Sequence, residues 1–218
     1  MQAMLASTVS SKFLERVAAA EGFHFEETLT GFKWLGNVAH RLEAQGYEVL
    51  FAFEEAIGFM FPAVHHDKDG VAAACVFAEL AAAAAERSVS VYDELRALHA
   101  AYGPHASRQH YFVAPSPAAS AAVFARLRRD SPDTCGPYRI TAVKDLGTGV
   151  DTGDAQGQVR LPWTPGDMHI CYTLDCGAAV TVRASGTEVR RERSAQPVCV
   201  CVCVCVTTQP RPNPTMCA

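Results

Sequence analysis

Leu35, Val38, Ala39 and Leu42 recur at the three-and-four spacing that places apolar side chains on one helix face, and Gly46 ends the run. The residues from Tyr47 to Phe53 then read as a buried strand. Upstream, Ser10 is placed to cap a helix over residues 10–21 that Gly22 stops. Phe23-His24-Phe25 is a short strand candidate. After the strand at 47–53 comes a loop rich in Gly, Pro, His and Asp that ends at Asp69-Gly70. A long Ala-rich helix follows to about Arg87. Ser90 and Asp93 have capping-box spacing and open another helix, which Gly103 closes.

From about Arg108 the pattern changes. A strand is predicted over residues 110–114 and a helix over 117–129, with Ser116 as its cap. Three more strands are predicted, at 138–143, 168–174 and 178–183, the last two joined by a hairpin at Asp175-Cys176-Gly177. The polar, Gly-rich segment 147–157 reads as a mobile loop. The expected fold class is α/β: a partial layered α/β domain over residues 1–104, followed by a small α+β domain with an antiparallel sheet over 108–188.

Composition narrows the function classes. With 218 residues, 49% of them apolar and 19% charged, the chain reads as a globular protein. The net charge of −4 favours neither a nucleic-acid nor a membrane partner. No apolar run reaches the roughly 18 residues of a membrane span. The first nine residues lack a basic n-region and make a poor signal peptide, so a cytosolic location is expected. Cys75, Cys135, Cys171 and Cys176 are scattered and read as reduced thiols, whereas five of the nine cysteines crowd the last twenty residues.

Four short motifs carry candidate chemistry. Arg183-Ala184-Ser185-Gly186-Thr187-Glu188 ends a strand in a turn offering a guanidinium, two hydroxyls and backbone N–H groups to one anion. An ordinary surface turn has the same ingredients. Phe53-Glu54-Glu55-Ala56-Ile57-Gly58 puts carboxylates at the carboxyl end of a strand, where ligands of α/β sheets bind and where sugar hydroxyls find acceptors. A solvated strand end looks alike. Thr30-Gly31-Phe32-Lys33 enters a helix, and Asp67-Lys68-Asp69-Gly70 reads equally as a helix start with acidic residues.

In their order, Thr-Gly-Phe-Lys, Phe-Glu-Glu-Ala-Ile-Gly, Asp-Lys-Asp-Gly and Arg-x-Ser-Gly-Thr-Glu resemble the phosphohexomutase superfamily. The nearest likeness is to its phosphoglucomutase-2 (phosphopentomutase) branch, then to glucose-1,6-bisphosphate synthase. The segment 21–36 is the most specific match, and the resemblance covers residues 10–188. It implies four domains around one cleft, of which this chain holds the C-terminal part of the third and an incomplete fourth. It further implies that Thr30 and Gly31 contact the sugar, that Glu54 holds two sugar hydroxyls, and that Lys68 approaches the substrate phosphate. Arg183, Ser185, Gly186 and Thr187 would grip the non-reacting phosphate. Many members have serine where this chain has Ala56, a change that removes a hydroxyl contact and relaxes preference toward pentose phosphates.

Catalysis in that family uses a phosphoserine, supported by Mg2+ on a loop of three aspartates, with glucose 1,6-bisphosphate or ribose 1,5-bisphosphate as activator. Neither an Asp-x-Asp-x-Asp run nor a Ser-His loop occurs in this sequence. The chain is therefore expected to supply sugar- and phosphate-binding elements only, with no catalytic residue and no metal ligand of its own. Asp151 and Asp154 have the wrong spacing, and His65-His66-Asp67 has no further ligands nearby in sequence. The other class of function is a non-catalytic phosphosugar-binding module or inactive isoform; its partners would again be small-molecule sugar phosphates. Beyond Glu188 the family pattern stops, and Val and Cys alternate from Val198 to Val206. A GT-dinucleotide repeat read in frame encodes such a run. Residues 189–218 thus read as retained intron sequence, with the Val-Cys run either an edge strand or loose within a disordered tail.

Overall fold

A computed structural model describes residues 1–185 and 198–207. The chain divides into two compact units, Met1–His105 and Ala106–Val206. The fold class is mixed α/β, as the alternation of helical and strand patterns predicts.

The first unit is built on a four-stranded sheet in the order β2-β1-β3-β4. Strands β1 (Gln2–Ser7), β2 (His24–Thr28) and β3 (Glu48–Glu54) run parallel, and β4 (Gly58–Met60) returns antiparallel to β3. The N-terminal residues, assigned no element from sequence, form the central strand of the parallel part. A strand paired on both edges and covered on its faces is largely apolar, and Ala3, Leu5 and Ala6 are fully buried. Helix α2 (Phe32–Ala44) lays Leu35, Ala39 and Leu42 against Leu5, Val49, Ala52 and Met60 to make the core.

Helix α1 (Phe13–Glu21) starts later than its expected serine cap. Lys12 holds the N-cap position without a side-chain capping bond, and the Ser10 hydroxyl is instead buried against Ser7 Oγ at 2.7 Å. The other predicted caps hold: Asp69 accepts from Val71 N and Ala72 N ahead of α3 (Gly70–Glu86), and Ser90 and Asp93 form a capping box on α4 (Val91–Tyr102). Helix α3 buries only Ala84 of its described face, leaving Val71, Phe77 and Leu80 exposed.

The second unit carries a seven-stranded sheet in the order β5-β11-β10-β9-β7-β6, with β8 paired to β7. Its strands are β5 (His105–Ala114), β6 (Thr134–Cys135), β7 (Tyr138–Asp145), β8 (Val150–Asp151), β9 (His169–Leu174), β10 (Ala179–Ser185) and β11 (Val198–Thr207). Helix α5 (Pro117–Asp130), capped by Ser116 as predicted, buries Phe124 against Ile170, Tyr172, Leu174 and Val180. Beneath it, Arg128 makes a two-pronged ion pair with Asp145 at 2.8 and 2.9 Å.

Two expectations are corrected here. Within the Gly-rich segment 147–157, expected as a mobile loop, Val150–Asp151 pair with β7 and hydrogen-bonded turns close the rest. Within it Asp151 Oδ1 accepts from Gly153 N at 3.0 Å and Asp154 Oδ2 from Gln156 N at 2.9 Å, and Val159 N donates to Gly149 O at 3.0 Å. The Val-Cys run, expected either as an edge strand or as loose chain within a disordered tail, forms β11, antiparallel to β10 from Ala179↔Cys205 to Ser185↔Cys199. Alternating β-branched residues suit a pleated strand, and β10 offers an edge of backbone donors and acceptors to pair with. β11 lies between β5 and β10, so it is not itself an edge.

Candidate functional site

The first unit gathers three of the four motifs. Strand β3 ends at Glu54, whose Oε2 accepts the Gly31 N–H at 2.9 Å. Gly31 is the N-cap of α2 with φ 109°, a conformation that glycine adopts at no steric cost. The Glu54–Gly31 bond thus joins two motifs 23 positions apart. Beside it Thr30 Oγ1 is buried without a hydrogen-bond partner among the described residues.

Phe32 links this pair to the third motif. Lys68 Nζ lies 5.7 Å from the Phe32 ring centroid, within cation–π range. The ring packs so tightly on the β3–β4 turn that a Cβ on Gly58 would stand 2.3 Å from Phe32 Cε2 and 3.1 Å from Glu54 Cγ. Gly58 therefore lets the ring and the Glu54 stem share one place. Neither Phe32 nor Gly58 was assigned a role from sequence, although both stand inside the quoted motifs. Asp67 accepts from the Lys68 backbone N–H at 2.7 Å, which, against slight burial and with help from the Lys68 ammonium, holds its carboxyl below the usual range.

The adjacent carboxylates have different surroundings. Glu55 Oε2 accepts from Ser7 Oγ at 2.9 Å, tying the turn to the end of β1. Ala56 is exposed on the turn, followed by Ile57 at 85% exposure and φ 61°. A β-branched residue in the left-handed region is strained, by roughly 1–3 kcal/mol.

The fourth motif belongs to the second unit. Arg183 lies in β10, opposite His169 of β9, and Ser185 is the last residue of the strand. Gly186 and Thr187, and with them the expected phosphate loop, lie outside the described residues.

Among the described residues, three side chains gather possible metal-ligand atoms within 4.8 Å: His40, Glu43 and His66. His66 was set aside from sequence for want of nearby ligands; the fold supplies two from α2. Asp151 and Asp154 serve the turns of 147–157, and Asp154 also pairs with Arg160 at 2.6 Å.

Residues 2–101 match the family of phosphoglucomutase/phosphomannomutase alpha/beta/alpha domain III. Human phosphopentomutase is 45% identical over 190 residues, covering 85% of this chain and 31% of that protein. Mouse glucose 1,6-bisphosphate synthase is 43% identical over the same shares, and phosphoribomutase of Saccharomyces cerevisiae 38% identical over 204 residues. The chain thus spans about a third of the length of these relatives. Among solved structures, the open form of parafusin, a phosphoglucomutase from Paramecium, superposes with a TM-score of 0.63 at 18% identity, covering 97% of this chain and 34% of that one. At that identity the likeness concerns the fold.

Proposed function

The chain belongs to the phosphohexomutase superfamily, and from that premise we propose that it supplies the sugar- and phosphate-binding elements of a phosphosugar mutase. The reaction is the interconversion of the 1-phosphate and 5- or 6-phosphate forms of pentose or glucose. In this reading residues 1–104 are the C-terminal part of the sugar-binding third domain and 108–188 an incomplete fourth. The observation that carries this reading is the Glu54–Gly31 hydrogen bond, which sets the strand-end carboxylate against the Thr30-Gly31 loop.

A carboxylate has about four acceptor positions, so one backbone bond orients Glu54 without exhausting it. In that orientation it takes hydrogen bonds from a pair of neighbouring sugar hydroxyls, and the Thr30 hydroxyl adds a donor or acceptor alongside. Lys68 meets the phosphate as a point charge, its ammonium 5.7 Å from the Phe32 ring centroid. Ala56 contributes a methyl group where serine would add a hydroxyl contact, which suits a site that takes a pentose as well as a hexose. Arg183, with Ser185, Gly186 and Thr187, grips the phosphate that does not react.

Phosphoryl transfer in such an enzyme passes through a phosphoserine, primed by glucose 1,6-bisphosphate or ribose 1,5-bisphosphate. Mg2+ supplies charge neutralisation during that transfer. Mg2+ requires near-octahedral oxygen ligation, and the metal-ligand cluster found among the described residues is two imidazoles and one carboxylate. These residues do not fit Mg2+, and no step through it is assigned to this chain.

The test is a pair of assays on the intact chain. Mixed with ribose 1-phosphate or glucose 1-phosphate, Mg2+ and a sugar bisphosphate, the chain shows no turnover. Titration with the same sugar phosphates shows binding that Glu54→Gln weakens, with inorganic phosphate binding unchanged. Robust turnover, or sugar selectivity unaltered by Glu54→Gln, contradicts the reading.

A further inference from the structure

The backbone of the loop after β4 lies directly on α2. A Cβ on Gly36 would stand 2.4 Å from the His66 carbonyl oxygen, so the approach requires glycine. The loop is held there by turns: Val64 N and His65 N donate to Phe61 O at 2.8 and 3.0 Å, and Asp69 N to Phe59 O at 2.9 Å. Gly36, His40 and Glu43 stand at i, i+4 and i+7 on α2 and so line one stripe of the helix. The loop laid on that stripe brings His66 to both other side chains. His66 Nε2 is 2.9 and 3.0 Å from the two Glu43 carboxylate oxygens, and His40 Nδ1 is 3.6 Å from Glu43 Oε2. The His40 and His66 rings stack with centroids 3.8 Å apart and planes inclined by 14°.

We propose that His40, Glu43 and His66 form a binding site for a borderline transition-metal cation, Zn2+ foremost. Two imidazoles and a carboxylate make a set suited to Zn2+ and poorly suited to Mg2+ or Ca2+, which take oxygen ligands. The ligand atoms lie within 4.8 Å of one another. Zinc bonds of about 2.0–2.2 Å draw such atoms somewhat closer. His40, with 62% of its side chain exposed, has room to turn toward the others. Glu43 and His66, at 33% and 25%, form the more fixed side of the site.

Three protein ligands leave a fourth position for water or an anion. An adjoining cavity of about 230 Å³, lined by His40 and His66 together with Lys33, Asn37 and Asp67, gives that position space and polar neighbours. A cation bound here cross-links α2 to the segment directly ahead of Lys68. It would therefore fix the approach of Lys68 to its ligand from outside the sugar contacts. The metal site itself rests on geometry within the first unit, and only its consequence for Lys68 rests on the mutase reading.

The experiment is calorimetric titration of the intact chain with Zn2+ after alkylation of its accessible thiols, so that cysteine ligation does not contribute. One equivalent is expected to bind, with no comparable binding of Mg2+. His40→Ala and His66→Ala should each weaken Zn2+ binding by at least tenfold, the lower end of the roughly 10–100-fold lost when even an outer partner of a ligand is removed. Gly36→Ala keeps all three ligands but pushes the loop from the helix, and should weaken binding as well. Because His40 is mostly exposed, its variant keeps the fold, which far-ultraviolet circular dichroism verifies. Co2+ in place of Zn2+ should give visible bands without thiolate charge transfer. Absence of Zn2+ binding to the alkylated chain, or affinity unchanged in both histidine variants, overturns the proposal.

Discussion

Replacing Arg128 by leucine isolates a partly buried, two-pronged ion pair of the second unit. Its guanidinium spans both Asp145 oxygens at 2.8 and 2.9 Å and also donates to Asp167 O. The Asp145 side chain is 9% exposed and that of Arg128 25%. Breaking a buried pair by removing one partner costs about 3–5 kcal/mol, because the other charge is left desolvated. Here the Gly147 N–H still reaches Asp145 Oδ1 at 2.8 Å, and Arg128 is partly solvated, so a loss of about 2–4 kcal/mol is expected. Gly147 offers no relief by repacking around the native arginine, since a Cβ there would stand 2.0 Å from Arg128 Nη2.

Urea unfolding at neutral pH measures the loss, and a double-mutant cycle with Asp145→Asn separates the pair term from the cost of the orphaned charge. The pH dependence supplies an independent check. Burial pushes the Asp145 carboxyl up, but the Arg128 bonds and the Gly147 N–H outweigh it and hold the group below the ordinary carboxylate range. A folded-state value below the unfolded one means the stabilisation is fully present above the unfolded value near 3.9 and disappears as pH falls through the folded value. The Arg128→Leu chain should lack much of that acid-side decline. A loss under about 0.5 kcal/mol, typical of a solvated pair, would refute the argument.

Other outcomes follow from the same structure. Gly58→Ala should destabilise by about 1–3 kcal/mol, read by urea titration, since its methyl group would overlap Phe32 and force the buried ring aside. Ile57→Gly should leave stability unchanged or raise the melting temperature, as it relieves a left-handed β-branched residue with little burial. A chain ending at Glu188 loses β11 and uncovers the β10 edge along seven register pairs, so it should melt lower and aggregate more readily than the intact chain in reducing buffer.

How far the sequence announced these features depended on how local their causes are. The Ser90–Asp93 capping box and the Ser116 cap were legible, because a cap is settled within four residues. Ser10 carried the same local signal but spends its hydroxyl on Ser7, a contact imposed by tertiary packing. Strand β1 was missed because six residues at a terminus show no period. Its centrality comes from pairing with β2 and β3, twenty and more positions away. The Glu54-Glu55 pair was legible as a site but not as two environments, which depend on Gly31 and Ser7. His66 looked isolated for the same reason, its partners His40 and Glu43 lying on a helix 23 and more positions earlier. Phe32 and Gly58 stood in plain view within the motifs. Only the packed ring shows why one needs the other.

The proposal that matters most is that this chain binds sugar phosphates. Calorimetric titration of the intact chain with ribose 1-phosphate, repeated with Arg183→Ala, tests it most directly. Charge-assisted hydrogen bonds contribute on the order of 1.5–3 kcal/mol each. Saturable binding is therefore predicted, weakened by Arg183→Ala roughly tenfold or more. No binding of ribose 1-phosphate, or equal affinity with and without the Arg183 guanidinium, would contradict it.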